Sequence, residues 1–238
     1  TDEQYVQRAQ DYLDRGELKA ANIELKNALR NNPENAKARL LKGEVEFEFG
    51  DAAVAEKELR RASRLGVADG AVLPLLARAL LAQGKQEALQ ALTLENLTNK
   101  EHRAEVLAAQ GLGKLAQAEV DAATELIDQA ISLTPQAAYV GVARARLLAA
   151  NKEYALARQE IDGVLARDAD YAMAWNMLGD LEALDRNLAK ADAAYTRASE
   201  TRANNLADLS KRAMTRIQQK KYGAAQKDID VLKKRIPN

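Results

Sequence analysis

Small apolar residues return along this chain at a fixed interval of 34 positions. Stepping from Ala9 gives Gly43, Ala77, Gly111, Ala145, Gly179 and Ala213, all of them Ala or Gly. Stepping from Ala21 gives Ala55, Leu89, Ala123, Ala157, Ala191 and Ala225; a third series from Ala28 gives Ala62, Asn96, Ala130, Val164, Ala198 and Leu232. Larger apolar residues fill the remaining phases at helical spacing: Tyr5, Tyr12, Leu25 and Leu29 in the first period, Trp175, Leu178, Leu188 and Tyr195 in the sixth. A unit of this length is two antiparallel helices, A and B, with small side chains where their axes approach most closely. Gly16, Gly50 and Gly84 keep the same period at the A-to-B turn, where a left-handed backbone suits glycine. Pro33, Pro135 and Pro237 fall after helix B, which a proline stops.

Seven such units account for all 238 residues, at about 2–35, 36–69, 70–103, 104–137, 138–171, 172–205 and 206–238. The third is degenerate: its B helix reads as shifted by one residue after Gly84-Lys85-Gln86, and residues 93–100 read as a loop or frayed turn. Composition agrees with an all-α chain, since apolar residues are 47% of the total but aromatic residues only 4%.

The chemistry available is narrow. No Cys and a single His exclude a disulfide framework, a thiol nucleophile and a His/Cys metal cage. There is no glycine-rich phosphate loop, no Gly-x-Ser-x-Gly elbow and no His-Glu-x-x-His pair, so no catalytic residue, metal or cofactor is expected. His102, in the irregular stretch before the fourth unit, reads as a solvent-exposed residue at a helix start. Glu44, Glu46 and Glu48 alternate along one helix and read as a solvated edge. No apolar run approaches the roughly 18 residues of a membrane helix.

By period and by residue the chain resembles the tetratricopeptide repeat (TPR) family. Trp175, Leu178, Gly179, Ala191, Tyr195 and Ala198 reproduce most of the family signature in one unit, and Tyr5, Ala9, Tyr12, Ala21, Leu25, Ala28 and Pro33 in another. The resemblance implies a single solenoid of helix pairs in a right-handed superhelix, non-enzymatic, whose concave face is lined by A helices and binds a protein or peptide partner. Carried over by phase, that lining is Val6, Gln10, Leu40, Glu44, Phe47 and Arg78, continuing through Leu112, Val142, Arg146, Asn176, Asp180 and Met214. The family's two-carboxylate clamp for chaperone tails needs Lys and Asn one turn apart. The matching pairs here, such as Leu40/Glu44 and Val142/Arg146, do not supply it.

Charge changes the picture only locally. Cations and acids balance at 35 each, yet residues 197–238 hold eleven Lys/Arg, Arg202 and Arg235 among them, against four acids. Lys211, Arg212, Arg216, Lys220 and Lys221 form the candidate basic patch. It reads as a solvated face or a seam with an acidic following repeat, with direct binding of an acidic polysaccharide as the alternative. Only Tyr222 lies among these cations, so no nucleic acid is expected.

The first hundred residues carry a narrower resemblance. Ala20-Ala21-Asn22-Ile23-Glu24-Leu25-Lys26-Asn27-Ala28-Leu29, followed by Ala55-Glu56-Lys57-Glu58-Leu59-Arg60-Arg61-Ala62, is similar to the opening repeats of TPR lipoproteins of the PEP-CTERM/exosortase system, found beside exopolysaccharide gene clusters. That implies the periplasm or outer membrane of a Gram-negative bacterium, with membrane contact only through a lipid anchor that this chain does not carry. A cytosolic TPR adaptor is the alternative. The polar start, without an initiator Met, reads as a processed product. The end reads as an uncapped last repeat of a longer array, with an apolar stripe at Ile229 and Leu232 open to self-association.

Overall fold

The computed structural model describes residues 1–201 and 205–234. Among them are fourteen α-helices and no strand. In chain order they are α1 (Asp2–Asp14), α2 (Leu18–Asn31), α3 (Ala36–Glu48), α4 (Ala52–Arg64), α5 (Asp69–Ala82), α6 (Gln86–Gln90) and α7 (Lys100–Ala116). Then follow α8 (Val120–Leu133), α9 (Ala138–Ala150), α10 (Tyr154–Arg167), α11 (Ala172–Leu184), α12 (Leu188–Thr201), α13 (Leu206–Gln218) and α14 (Tyr222–Lys233). Odd-numbered helices are the A members and even-numbered ones the B members. Two compact units are distinguished, Thr1–Gly113 and Lys114–Asn238. Pro237, Arg202 and Arg235 lie outside the described residues.

Each unit repeats one packing rule. In the first, α1 packs on α2 and α3 on α4, while α1 meets α3 and α3 meets α5 along the A side. Its core gathers Ala9, Ala21, Leu25, Ala28, Leu41 and Val45. In the second, α9 packs on α10, α11 on α12 and α13 on α14, and α9 meets α11. Its core gathers Val142, Ala145, Ala157, Ile161, Val164 and Leu181. Every member of the Ala9 and Ala21 series is buried. A Cβ on Gly43 would stand 2.7 Å from Leu59 Cγ, and one on Gly141 2.6 Å from Val164 Cγ2. One on Gly179 would run into the Tyr195 ring. At these three contacts glycine lets the two helices approach.

The A-to-B turn is more regular than its glycines suggest. Gly16, Gly50 and Gly84 have φ of 71°, 86° and 67°, and the same period continues through Ala118 (62°), Lys152 (64°), Arg186 (59°) and Lys220 (61°). The hydrogen bonds are the same at both ends of the chain. Gly16 and Glu17 donate to the carbonyls of Leu13 and Tyr12, as Lys220 and Lys221 do to those of Ile217 and Arg216. This helix-ending pattern demands a left-handed residue, and four side chains accept it at a cost of roughly 1–2 kcal/mol each.

The third pair departs from expectation. Its B helix is not shifted: Leu89 is buried at the phase of Ala21, and α6 simply stops after five residues. The non-helical stretch runs over 91–99, and Lys100 already belongs to α7. Buried Gln110 of α7 explains how a helix can stop there. Its side-chain amide donates to the carbonyls of Leu89 and Leu92 at 3.1 Å each, while Gln90 donates back to the Gln110 carbonyl. Carbonyls left without a helical partner are thus satisfied. His102 stands at a helix start as expected, but it is not solvent-exposed. It sits in the first turn of α7, half-buried, with its ring against Gly70 and its backbone N–H donating to the Asn99 side-chain oxygen.

Candidate functional site

In the first unit the A helices bring Val6 and Gln10 of α1, Leu40, Glu44 and Phe47 of α3, and Arg78 of α5 to one side, all half-buried. The Arg78 guanidinium lies over the Phe47 ring, 4.9 Å from its centroid. Gln10 donates to Asp14 at 3.0 Å. Burial pushes the Glu44 carboxyl above its ordinary pKa, and the neighbouring charges of Glu48 and Asp14 push it further against the opposing pull of Lys37 and Arg78. The expected solvated edge is therefore wrong. Glu44 and Glu48, four residues apart, share the inner side, and Glu46 turns away to pair with Lys42. Leu112 of the expected lining is buried and unavailable to a partner.

In the second unit Val142 is buried in the core and Asn176 lies inside a polar network. Asn176 donates to the buried Asp208 at 2.6 Å and accepts from Lys211 Nζ at 2.7 Å. Lys211 also donates to both oxygens of Asp180 at 2.7 and 2.6 Å, and the Tyr195 hydroxyl donates to Asp180 at 2.7 Å. Burial lowers the Lys211 pKa and, with the charge of Asp180, raises that of Tyr195. Arg146 is half-buried, and Met214 is exposed.

The candidate basic patch is largely matched from within. Arg212 and Arg216 both donate to buried Asp228, Arg216 also to Asp192, and Lys221 to Asp192 at 3.2 Å. Lys220 is exposed at the left-handed turn position. Arg212, Arg216 and Lys221 bind α12, α13 and α14 together, a role that a local count of charge could not reveal. The signal lay in the acids: Asp192 and Asp228 sit on helices at spacings that reach those arginines.

Among the described residues no helix is long and apolar enough to cross a membrane. Comparison with known proteins bears on the fold. Residues 6–69 match the family model described as tetratricopeptide repeat. A search of curated proteins found no match. Among solved structures, Pseudomonas aeruginosa pilF is similar at 23% identity and a TM-score of 0.55, over 84% of this chain and 90% of that one. A tetratricopeptide repeat protein from Parabacteroides merdae is similar at 18% identity and a TM-score of 0.56, over 100% and 94%. In fold this chain is a TPR-like helical solenoid, and its sequence matches the tetratricopeptide repeat family over the first two helix pairs.

Proposed function

We propose that this chain is a non-enzymatic scaffold that holds protein partners on the A-helix side of its helix pairs. We place it at the envelope of a Gram-negative bacterium, in exopolysaccharide secretion or PEP-CTERM-type protein sorting. The observation that carries the scaffold reading is Phe47. It is a large aromatic left half-buried on the A side, under Arg78 and beside Glu44, where an aromatic anchor with flanking charge suits a partner segment. Helical solenoids of this kind generally serve protein–protein interaction. The envelope assignment rests on the similarity of the first hundred residues to exosortase-system lipoproteins. Binding of acidic polysaccharide is the weaker alternative, because Arg212 and Arg216 already have carboxylate partners.

Affinity capture from the source organism tests this, with envelope and soluble fractions kept apart and the wild-type chain compared with Phe47→Ala. The wild type should retain a protein from the envelope fraction. Phe47→Ala should lose about 2 kcal/mol or more of that affinity, with the melting temperature nearly unchanged. Equal capture by both chains would remove the A side as the binding surface. Capture from the soluble fraction alone would make this a cytosolic adaptor.

A further inference from the structure

The fifth helix pair carries a cleft of about 300 Å³ between two stripes of side chains. Arg144 and Leu148, one turn apart on α9, form one wall. Leu156, Gln159, Gly163 and Arg167, at helical spacing on α10, form the other wall and the floor, with Glu160 beside them.

Part of this lining belongs to the repeat. Arg144 pairs with Glu160 at 3.2 Å, and the same phases pair Arg8 with Glu24 at 2.9 Å and Arg212 with Asp228 at 2.6 Å. The rest is peculiar to the fifth pair. At the phase of Gly163 other pairs carry Asn27, Arg61, Gln129 and Arg197, and at the phase of Leu156 four carry alanine: Ala20, Ala88, Ala122 and Ala224. A Cβ on Gly163 would meet only the Arg167 side chain, at 3.6 Å. Packing therefore does not require glycine there, and helix propensity disfavours it; what its missing side chain does is leave the floor open. Leu156 is 49% exposed, more open than Ile229 and Leu232 of α14, which were expected to stand free and are half-buried. Arg167 is exposed and makes no hydrogen bond or ion pair among the described residues.

We propose that this cleft binds a small organic monocarboxylate with a compact apolar body. The Arg167 guanidinium supplies a planar pair of donors for the carboxylate. Arg144, held in place by Glu160, adds a second cation, and the Gln159 amide a neutral donor. The apolar body lies between Leu148 and Leu156, over the bare backbone of Gly163. Two arginines against one glutamate leave a single positive charge in the lining, which matches one carboxylate and undercompensates a phosphate dianion. The volume, at the small end of ligand clefts, suits a ring or a short branched chain. None of these residues belongs to the A-side lining, so this cleft and the Phe47 surface can fail independently.

The test uses the full chain with para-fluorobenzoate as the probe, followed by fluorine NMR line broadening. Para-fluorobenzyl alcohol keeps the ring and lacks the charge; inorganic phosphate carries charge and lacks the ring. The benzoate should bind at least tenfold more tightly than the alcohol, and equimolar phosphate should not displace it. Arg167→Gln alters an exposed side chain and should weaken the benzoate at least tenfold. Gly163→Gln gives α10 the side chain that α8 carries at Gln129. It should keep the melting temperature, checked by circular dichroism, and weaken the benzoate at least tenfold by filling the floor. Arg197→Gln, which removes a cation at the same phase of the sixth pair, should bind as the wild type does. Absence of binding, equal binding of the alcohol, displacement by phosphate, or binding indifferent to Arg167→Gln or Gly163→Gln would overturn the proposal. So would an equal loss in Arg197→Gln, since the probe would then be reporting general surface charge.

Discussion

Glu44 carries the clearest electrostatic tension at the level of single residues. A carboxyl whose folded pKa is raised is neutral in both states at low pH, so it costs nothing there. As pH rises through the ordinary value of 4.5 toward the raised one, the unfolded chain ionises more readily and stability falls. Glu44→Gln removes that burden. Its melting temperature should exceed the wild type's at pH 7 and match it near pH 4, with Asp14, Lys37, Glu48 and Arg78 unchanged. A lower melting temperature at pH 7 would mean that Arg78 and Lys37 outweigh burial. The sequence places Glu44 on the A side by phase, but not its burial, which depends on how closely α1 and α5 flank α3.

At the scale of elements, the small-residue series is a packing specification. At two glycines of the series helix B brings a large side chain across: Leu59 against Gly43, Tyr195 against Gly179. Gly179→Leu should overpack the sixth pair and destabilise by about 1–3 kcal/mol or more. Gly163, on α10, is the control, since a Cβ there meets only the Arg167 side chain, at 3.6 Å. Gly163→Ala should stabilise by up to about 1 kcal/mol through helix propensity. Chemical denaturation of both variants distinguishes close approach from a general intolerance of side chains. The turn shows the opposite relation between sequence and structure. The hydrogen bonds that end helix A fix a left-handed residue whatever side chain is present, so Ala118, Lys152, Arg186 and Lys220 adopt it without a glycine to announce it.

Across the whole molecule, a chain of repeated pairs derives stability from each pair and from its contacts with neighbours. Where a pair is short of buried surface, local opening should be easiest. α6 buries Leu89 and is held by the Gln110 amide, whereas α4 buries Ala55, Glu58, Leu59 and Ala62. Hydrogen exchange should therefore be faster over 86–97 than over α4 or α8. Equal protection would mean that Gln110 and buried Leu97 fully replace the missing turns.

Sequence by itself determined the fold class, the helix pairs and which residues face between them. These follow from a period and from side-chain volume, and both are local properties that repeat. The A-side positions were legible to the same extent, because phase along a helix sets the side of the helix. Phase could not say how deeply a neighbour covers that side, and so Val142, Leu112 and Asn176 share the phase of exposed Met214 or nearly so, yet are buried. Nor could it pair charges. Arg212 and Arg216 read as part of a basic surface because their partners, Asp192 and Asp228, lie on other helices, 12 to 24 residues away. Only the tertiary structure brings such groups within hydrogen-bonding distance, and that distance decides whether a cation belongs to the surface or to the seam.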